Sequence, residues 1–98
     1  MVKLSWHNDT RYDLIQIYNY IHKDSIYYAI KTINKITELV DNLRFFPYIG
    51  RVIPEYNDQE KRELIYKSYR IMYKVEYDKI VIHRIWHSAR KLPQKLIS

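Results

Sequence analysis

The sequence predicts an α+β fold in the order β-α-α-β-β-β, an antiparallel sheet with an N-terminal helical hairpin packed on one face. Three observations predict it. Apolar residues between positions 8 and 44 recur at three-and-four spacing, the rhythm of a helix with one buried side. A stretch carrying two of the three prolines and the sole glycine ends that rhythm at 45–54. From Glu63 onward Ile, Val and Tyr alternate with charged residues at a spacing of two, as strands require. A pair of helices followed by a run of strands is the signature of an α+β layer.

Each element has its own reason. Val2 to Trp6 alternates apolar and polar residues and reads as an opening strand whose partner lies far off in sequence. Asn8 and Asp9 are good N-cap types, and Leu14, Ile17, Tyr18 and Ile21 follow at helical spacing, so a first helix covers about 8–23. Asp24-Ser25 interrupts and recaps. Ala29, Ile30, Ile33, Ile36, Val40 and Leu43 then carry a second helix from Ile26 to about Arg44, antiparallel to the first because the break is so short. Gly50 is expected to take a positive φ in the turn from helix to sheet. The polar stretch Tyr56–Lys61 reads as an exposed loop.

In the next strand Ile71, Tyr73, Val75 and Tyr77 share the face that packs on the helices, and Arg70, Met72, Lys74 and Glu76 share a wet one. The last strand puts Val81, His83, Ile85 and His87 opposite Ile80, Ile82, Arg84 and Trp86. Neither face is cleanly polar, as expected of a central strand, and periodicity does not say which points inward. Short breaks at Lys67-Ser68 and Asp78-Lys79 make the three strands a meander. Most of the eleven tyrosines read as structural, with Tyr18, Tyr73 and Tyr77 at core-like positions.

Length and charge bound the function. Ninety-eight residues make one domain, 1–98, long enough for a core. Seventeen Lys+Arg against eleven Asp+Glu leave a net charge of +6, which favours an anionic partner, whether nucleic acid or an acidic polypeptide. There is no cysteine, hence no disulfide, no thiol nucleophile and no cysteine-based zinc site. No stretch has the length of a signal peptide or a membrane span, and a cytoplasmic protein with no membrane association is expected.

The element order, with Asp13-Leu14, Tyr20-Ile21, Ser25, Ala29, the loop from Pro47 through Gly50-Arg51 to Pro54-Glu55, Arg62-Glu63-Leu64, Tyr69-Arg70-Ile71 with Tyr73, and His87 to Arg90, resembles the RelE/ParE superfamily of toxins from toxin–antitoxin modules. The resemblance spans residues 2–92. It implies the RelE/ParE-like fold and a toxin of the type II, plasmid-stabilisation-like kind, which causes growth arrest and is held in a hetero-oligomer by a cognate antitoxin. RelE-like members resemble ribosome-dependent endoribonucleases that cut messenger RNA, whereas ParE-like members inhibit DNA gyrase.

RNA cleavage by the 2′-hydroxyl needs a base, an acid and cations at the phosphate. Arg70, on the wet face of its strand, and Arg90, after the last strand, are placed to converge on an anion, with Lys91 nearby and Arg84 on the preceding strand. Arg70 and Arg90 match arginines that in the RelE-like pattern bind the scissile phosphate. The rest of that pattern is missing: Arg62-Glu63-Leu64 stands where lysines are expected, and the tail from Lys91 to Ser98 has no Tyr or His. His87 is the one residue that supports a nuclease, set against the plainer reading of a strand-end histidine holding a loop. His83 shares its face, but i,i+4 along a strand spans roughly 13 Å, so the two make no metal site and no metal or cofactor is expected. For Arg70 the plainer reading is a pair with Glu76 or Glu63; for Arg51, a pair with Glu55; for Trp86, a place in the core.

The sequence therefore points to a ParE-like toxin that inhibits gyrase and leans away from an enzyme, with Arg70, Arg84, Arg90 and Lys91 contacting an anionic target. The alternative is a RelE-like ribosome-dependent endoribonuclease, with Arg70, Arg90 and His87 acting on ribosome-bound messenger RNA. A second alternative is a member that has lost toxicity and binds its antitoxin.

Overall fold

The computed structural model describes residues 1–97. Strand β1 (Lys3–Trp6) leads into helices α1 (Asn8–His22) and α2 (Ile26–Asp41), and a 3-10 turn, Asn42–Arg44, closes the helical part. The short strand β2 (Arg51–Val52) precedes the meander β3 (Lys61–Tyr66), β4 (Tyr69–Val75) and β5 (Lys79–His87). Among the described residues these form one five-stranded sheet in the order β1-β5-β4-β3-β2.

The sheet is mixed, because β1 runs parallel to β5 while every other neighbour is antiparallel. This corrects the expectation of an antiparallel sheet. Parallel neighbours need a long crossover, and everything between β1 and β5 serves as one. The added strand β2 lies inside the stretch read as a turn. Ser25 caps α2 by accepting from the Tyr28 N–H at 3.1 Å, but α1 is capped by His7, whose Nδ1 accepts from the Asp9 N–H at 3.1 Å, and not by Asn8 or Asp9.

The helices cover one sheet face, where Ile17, Ile36, Val40 and Leu43 meet Ile71, Tyr73, Val75, Ile80, Ile82 and Ile85. The other face is wet only towards the end of β4, where Lys74 is part-exposed and Glu76 exposed. Ile53 from the loop after β2 and Leu92 and Ile97 from the C-terminal tail fold over Met72 and Trp86 to make a second apolar cluster. Polar ties fix the tail: Tyr56 donates its hydroxyl to the Pro93 carbonyl at 3.1 Å and accepts from the Leu96 N–H at 3.1 Å, and Lys61 Nζ donates to the Ile97 carbonyl at 3.1 Å. Arg70 and Met72 are thus buried, and Tyr77, expected in the core, is fully exposed.

A β-bulge explains why β5 resisted assignment. Met72 pairs with Arg84 while Tyr73 pairs with Ile82, so His83 is the extra residue. The alternation slips by one there, and Ile80, Ile82 and Ile85 all reach the helix-covered core. β1 accompanies β5 only as far as Ile82. Beyond that point α1 seals the strand. Thr10 Oγ1 donates to the Ile82 carbonyl at 2.6 Å, and Asp13 Oδ2 accepts the Ile85 N–H at 3.0 Å.

Gly50 has no positive φ, contrary to expectation. It is there for space. A Cβ at this position would stand 2.6 Å from the Tyr73 hydroxyl and 2.7 Å from the Glu63 carbonyl oxygen. The Gly50 N–H donates to that hydroxyl at 3.0 Å, and the hydroxyl donates onward to the Pro47 carbonyl at 2.8 Å. Because one of the crowded atoms is β3 backbone, Gly50→Ala is expected to cost about 1–3 kcal/mol. Urea unfolding measures this, and a variant as stable as the parent would show that the Tyr73 clamp gives way freely.

Candidate functional site

Arg70 is 8% exposed on β4, where it pairs across the sheet with Trp86 of β5. All of its guanidinium nitrogens face carboxylates. Nε donates to Glu63 Oε1 at 2.7 Å, and Nη1 and Nη2 donate to the two oxygens of Glu55 at 2.8 and 2.7 Å. Glu63, 1% exposed, also accepts from Arg51 Nε at 2.7 Å. The hydrogen bond from Arg70 holds the Glu55 carboxyl at a pKa of about 2, and the bond to Glu55 raises that of Arg70 in turn. Two guanidiniums therefore balance two carboxylates. Arg70 is not the water-facing cation the sequence suggested; alternation showed its face correctly but not the chain that covers it. Its expected partner Glu63 is present, and Glu55 binds Arg70 where Arg51 was expected.

Arg84 is also engaged. Its Nε and Nη2 donate to Asp13 at 2.7 and 2.9 Å, and that bond raises its pKa. Asp13 is a residue whose role the sequence did not disclose, since its partner lies 71 positions away. Trp86 is buried as expected, its Nε1 donating to the Arg90 carbonyl at 3.0 Å. The Arg84 and Arg90 guanidiniums lie 5.4 and 4.2 Å from its ring, in cation–π geometry. Arg90 is exposed and has no carboxylate partner among the described residues. Lys91 is exposed beside it. A cleft of about 400 Å³ between α1 and the end of β5 gathers Arg84, Arg90, His87, Tyr69, Tyr12 and Gln16. Arg70 is not part of its lining.

A second concavity runs along α2. Tyr27, Ile30, Lys31 and Lys35 on the helix face Tyr66 of β3 across a groove of about 550 Å³. Ile26, Tyr28 and Ile65 are further exposed apolar side chains on these elements. Its lining is largely apolar, with Lys31 and a Lys35–Glu38 pair 3.8 Å apart, which suits an amphipathic segment that brings a carboxylate to Lys31.

The sequence profile described as "ParE toxin of type II toxin-antitoxin system, parDE" matches residues 4–92. The chain belongs to the ParE toxin family. A solved structure described as "Chromosomal ParDE TA system from P. aeruginosa" superposes on this ParE-family chain with a TM-score of 0.74 and 26% identity, covering 89% of this chain and 96% of that one. No curated protein sequence matches closely enough to count as a relative.

The histidines of this ParE-family toxin divide by environment. His87 Nδ1 accepts the Ala89 N–H at 3.1 Å, and the ring stands edge-on to Tyr69 with centroids 5.6 Å apart. That is the loop-holding geometry. His83, on the bulge, stacks on His7 at 5.6 Å rather than pairing with His87, and its Nε2 is buried without a hydrogen-bond partner. Burial first and His7 second lower its pKa, with Lys74 and Lys61 adding to this and Glu76 opposing. A depressed native pKa means the unfolded chain takes up the proton first, so stability is full above the ordinary value of 6.5 and declines as the pH falls below it. Unfolding free energies measured from pH 8 to 5 are expected to show that decline in the parent and a flatter limb in His83→Gln. Equal slopes would contradict it.

Proposed function

We propose that this ParE-family toxin acts in the cytoplasm by binding and inhibiting DNA gyrase, and that a cognate antitoxin neutralises it by laying an acidic amphipathic segment along the α2–β3 groove. The engagement of Arg70 by Glu55 and Glu63 carries the choice of a binding protein over a nuclease. A phosphate would have to displace two carboxylates from a buried guanidinium, one of them itself buried, and breaking such a pair costs about 3–5 kcal/mol. Arg90 and Lys91 are the proposed cations for an acidic contact. Arg84 is withdrawn from that role because Asp13 answers its charge.

The ribonuclease reading rests on the cleft that holds Arg90 and His87 together. Its weakness is that the His87 Nδ1 already serves the Ala89 N–H. The purified toxin in stoichiometric excess is expected to block supercoiling of relaxed plasmid by gyrase, with activity restored by the antitoxin. Unimpaired supercoiling together with codon-phased cuts in messenger RNA would overturn the proposal in favour of the ribonuclease.

A further inference from the structure

The segment between the 3-10 turn and β2 turns the usual polarity of a loop inside out. Loops present polar atoms to water. Here Phe45, Phe46 and Ile49 are 61, 60 and 63% exposed, and Tyr48 is half-exposed beside them. Their backbone, in contrast, is clamped from within. The Phe45 and Phe46 N–H groups both donate to the Asn42 carbonyl at 3.1 Å, and the Ile49 N–H donates to the Phe46 carbonyl at 3.2 Å. The buried Tyr73 hydroxyl holds Pro47 and Gly50. Arg62 Nη1 donates to the Tyr48 and Gly50 carbonyls at 3.3 and 3.0 Å, with its guanidinium 4.8 Å from the Tyr48 ring.

Core and strand residues therefore fix a backbone whose large apolar side chains stay more than half exposed at Phe45, Phe46 and Ile49. Holding large apolar groups in place before binding removes the ordering cost of a contact. The adjoining recess carries more carboxylates than cations, with the Met1 terminus its one positive group among the described residues. It measures about 720 Å³ beside Pro47 and Tyr48 and takes in Glu60, Glu76 and Asp78, and no lysine or arginine lines it among the described residues. Tyr48 donates its hydroxyl to Glu60 at 2.9 Å, joining the apolar and acidic parts. In a chain of net charge +6 this is a local reversal. Isologous pairing with a second copy would set these carboxylates against themselves.

We propose that Phe45–Ile49 with Glu60, Glu76 and Asp78 is the surface that engages the toxin's protein target, and that the target offers an apolar recess rimmed by lysine or arginine. The surface is separate in lining from the α2–β3 groove, so the antitoxin and the target have different contacts. The identity of the target rests on the gyrase reading; the existence of the surface does not.

The test compares Phe46→Ser/Ile49→Ser and Glu76→Lys/Asp78→Lys with the parent toxin in three assays: supercoiling inhibition, antitoxin affinity and growth arrest on induction. The apolar pair is expected to lose at least about tenfold in inhibitory potency while antitoxin affinity and the unfolding midpoint hold. The charge pair is expected to weaken inhibition most at low salt. Unchanged potency overturns the proposal, as does a parallel loss of antitoxin affinity or a parent dimer that the apolar pair dissociates. A parent that arrests growth without touching gyrase removes the gyrase reading alone; growth arrest then decides, its loss in the apolar pair supporting the surface and its retention overturning it. A parent that does neither overturns both.

Discussion

A guanidinium buried beneath folded chain needs carboxylates on the spot, and Arg70 collects them from separate segments. Glu63 comes from the neighbouring strand and Glu55 from the loop beyond β2, while Arg51 of β2 takes the second oxygen of Glu63. None of these residues is well placed alone. Glu63 is fully buried, and without Arg70 its charge would have one partner at the surface instead of two. The cluster therefore ties β2, the loop after it, β3 and β4 together. It lies on the sheet face that the C-terminal tail closes with Leu92 and Ile97.

The other half of the molecule depends on β5. The bulge at His83 frees that strand from strict alternation, so that three isoleucines reach the helix face while Arg84 and Trp86 turn elsewhere. Where β1 stops, Thr10 and Asp13 of α1 take over the open edge. The helical hairpin is thus fixed by buried polar contacts as well as by its apolar stripe, and its outer side, with Tyr27 and Ile30 exposed, is free for a partner. The residues between Arg62 and Leu64 divide the labour: Arg62 clamps the Phe45–Ile49 loop, Glu63 completes the ion cluster and Leu64 packs against the core.

Local periodicity carried what depends on local periodicity. The helices and the meander after them were legible because each is encoded within a few turns or a few alternations; Trp86 was expected in the core but lies in the cluster that the tail closes, on the other face from Ile82. The positions of Arg70 and Met72 were not legible, since their face is covered by a tail some twenty residues later that alternation cannot see. The same limit hid Asp13, whose partner is Arg84, and the parallel pairing of the first and last strands. Gly50 misled for a different reason: a lone glycine suggests backbone freedom, whereas here it leaves room for a tyrosine hydroxyl. The toxin kinship was legible from spaced residues whose physical roles were not, and the structure gives several of them structural work.

Arg70, held by Glu55 and Glu63, is expected to serve the fold and not a substrate. A cycle of Glu63→Met, Arg70→Met and the double variant, followed by urea unfolding and growth arrest on induction, tests it. Each single change removes one of two partners from a buried charge and is expected to cost about 1–3 kcal/mol, and the double variant to recover most of that loss. The refolded double variant is expected still to arrest growth. A double variant as stable as the parent but harmless to cells would contradict it.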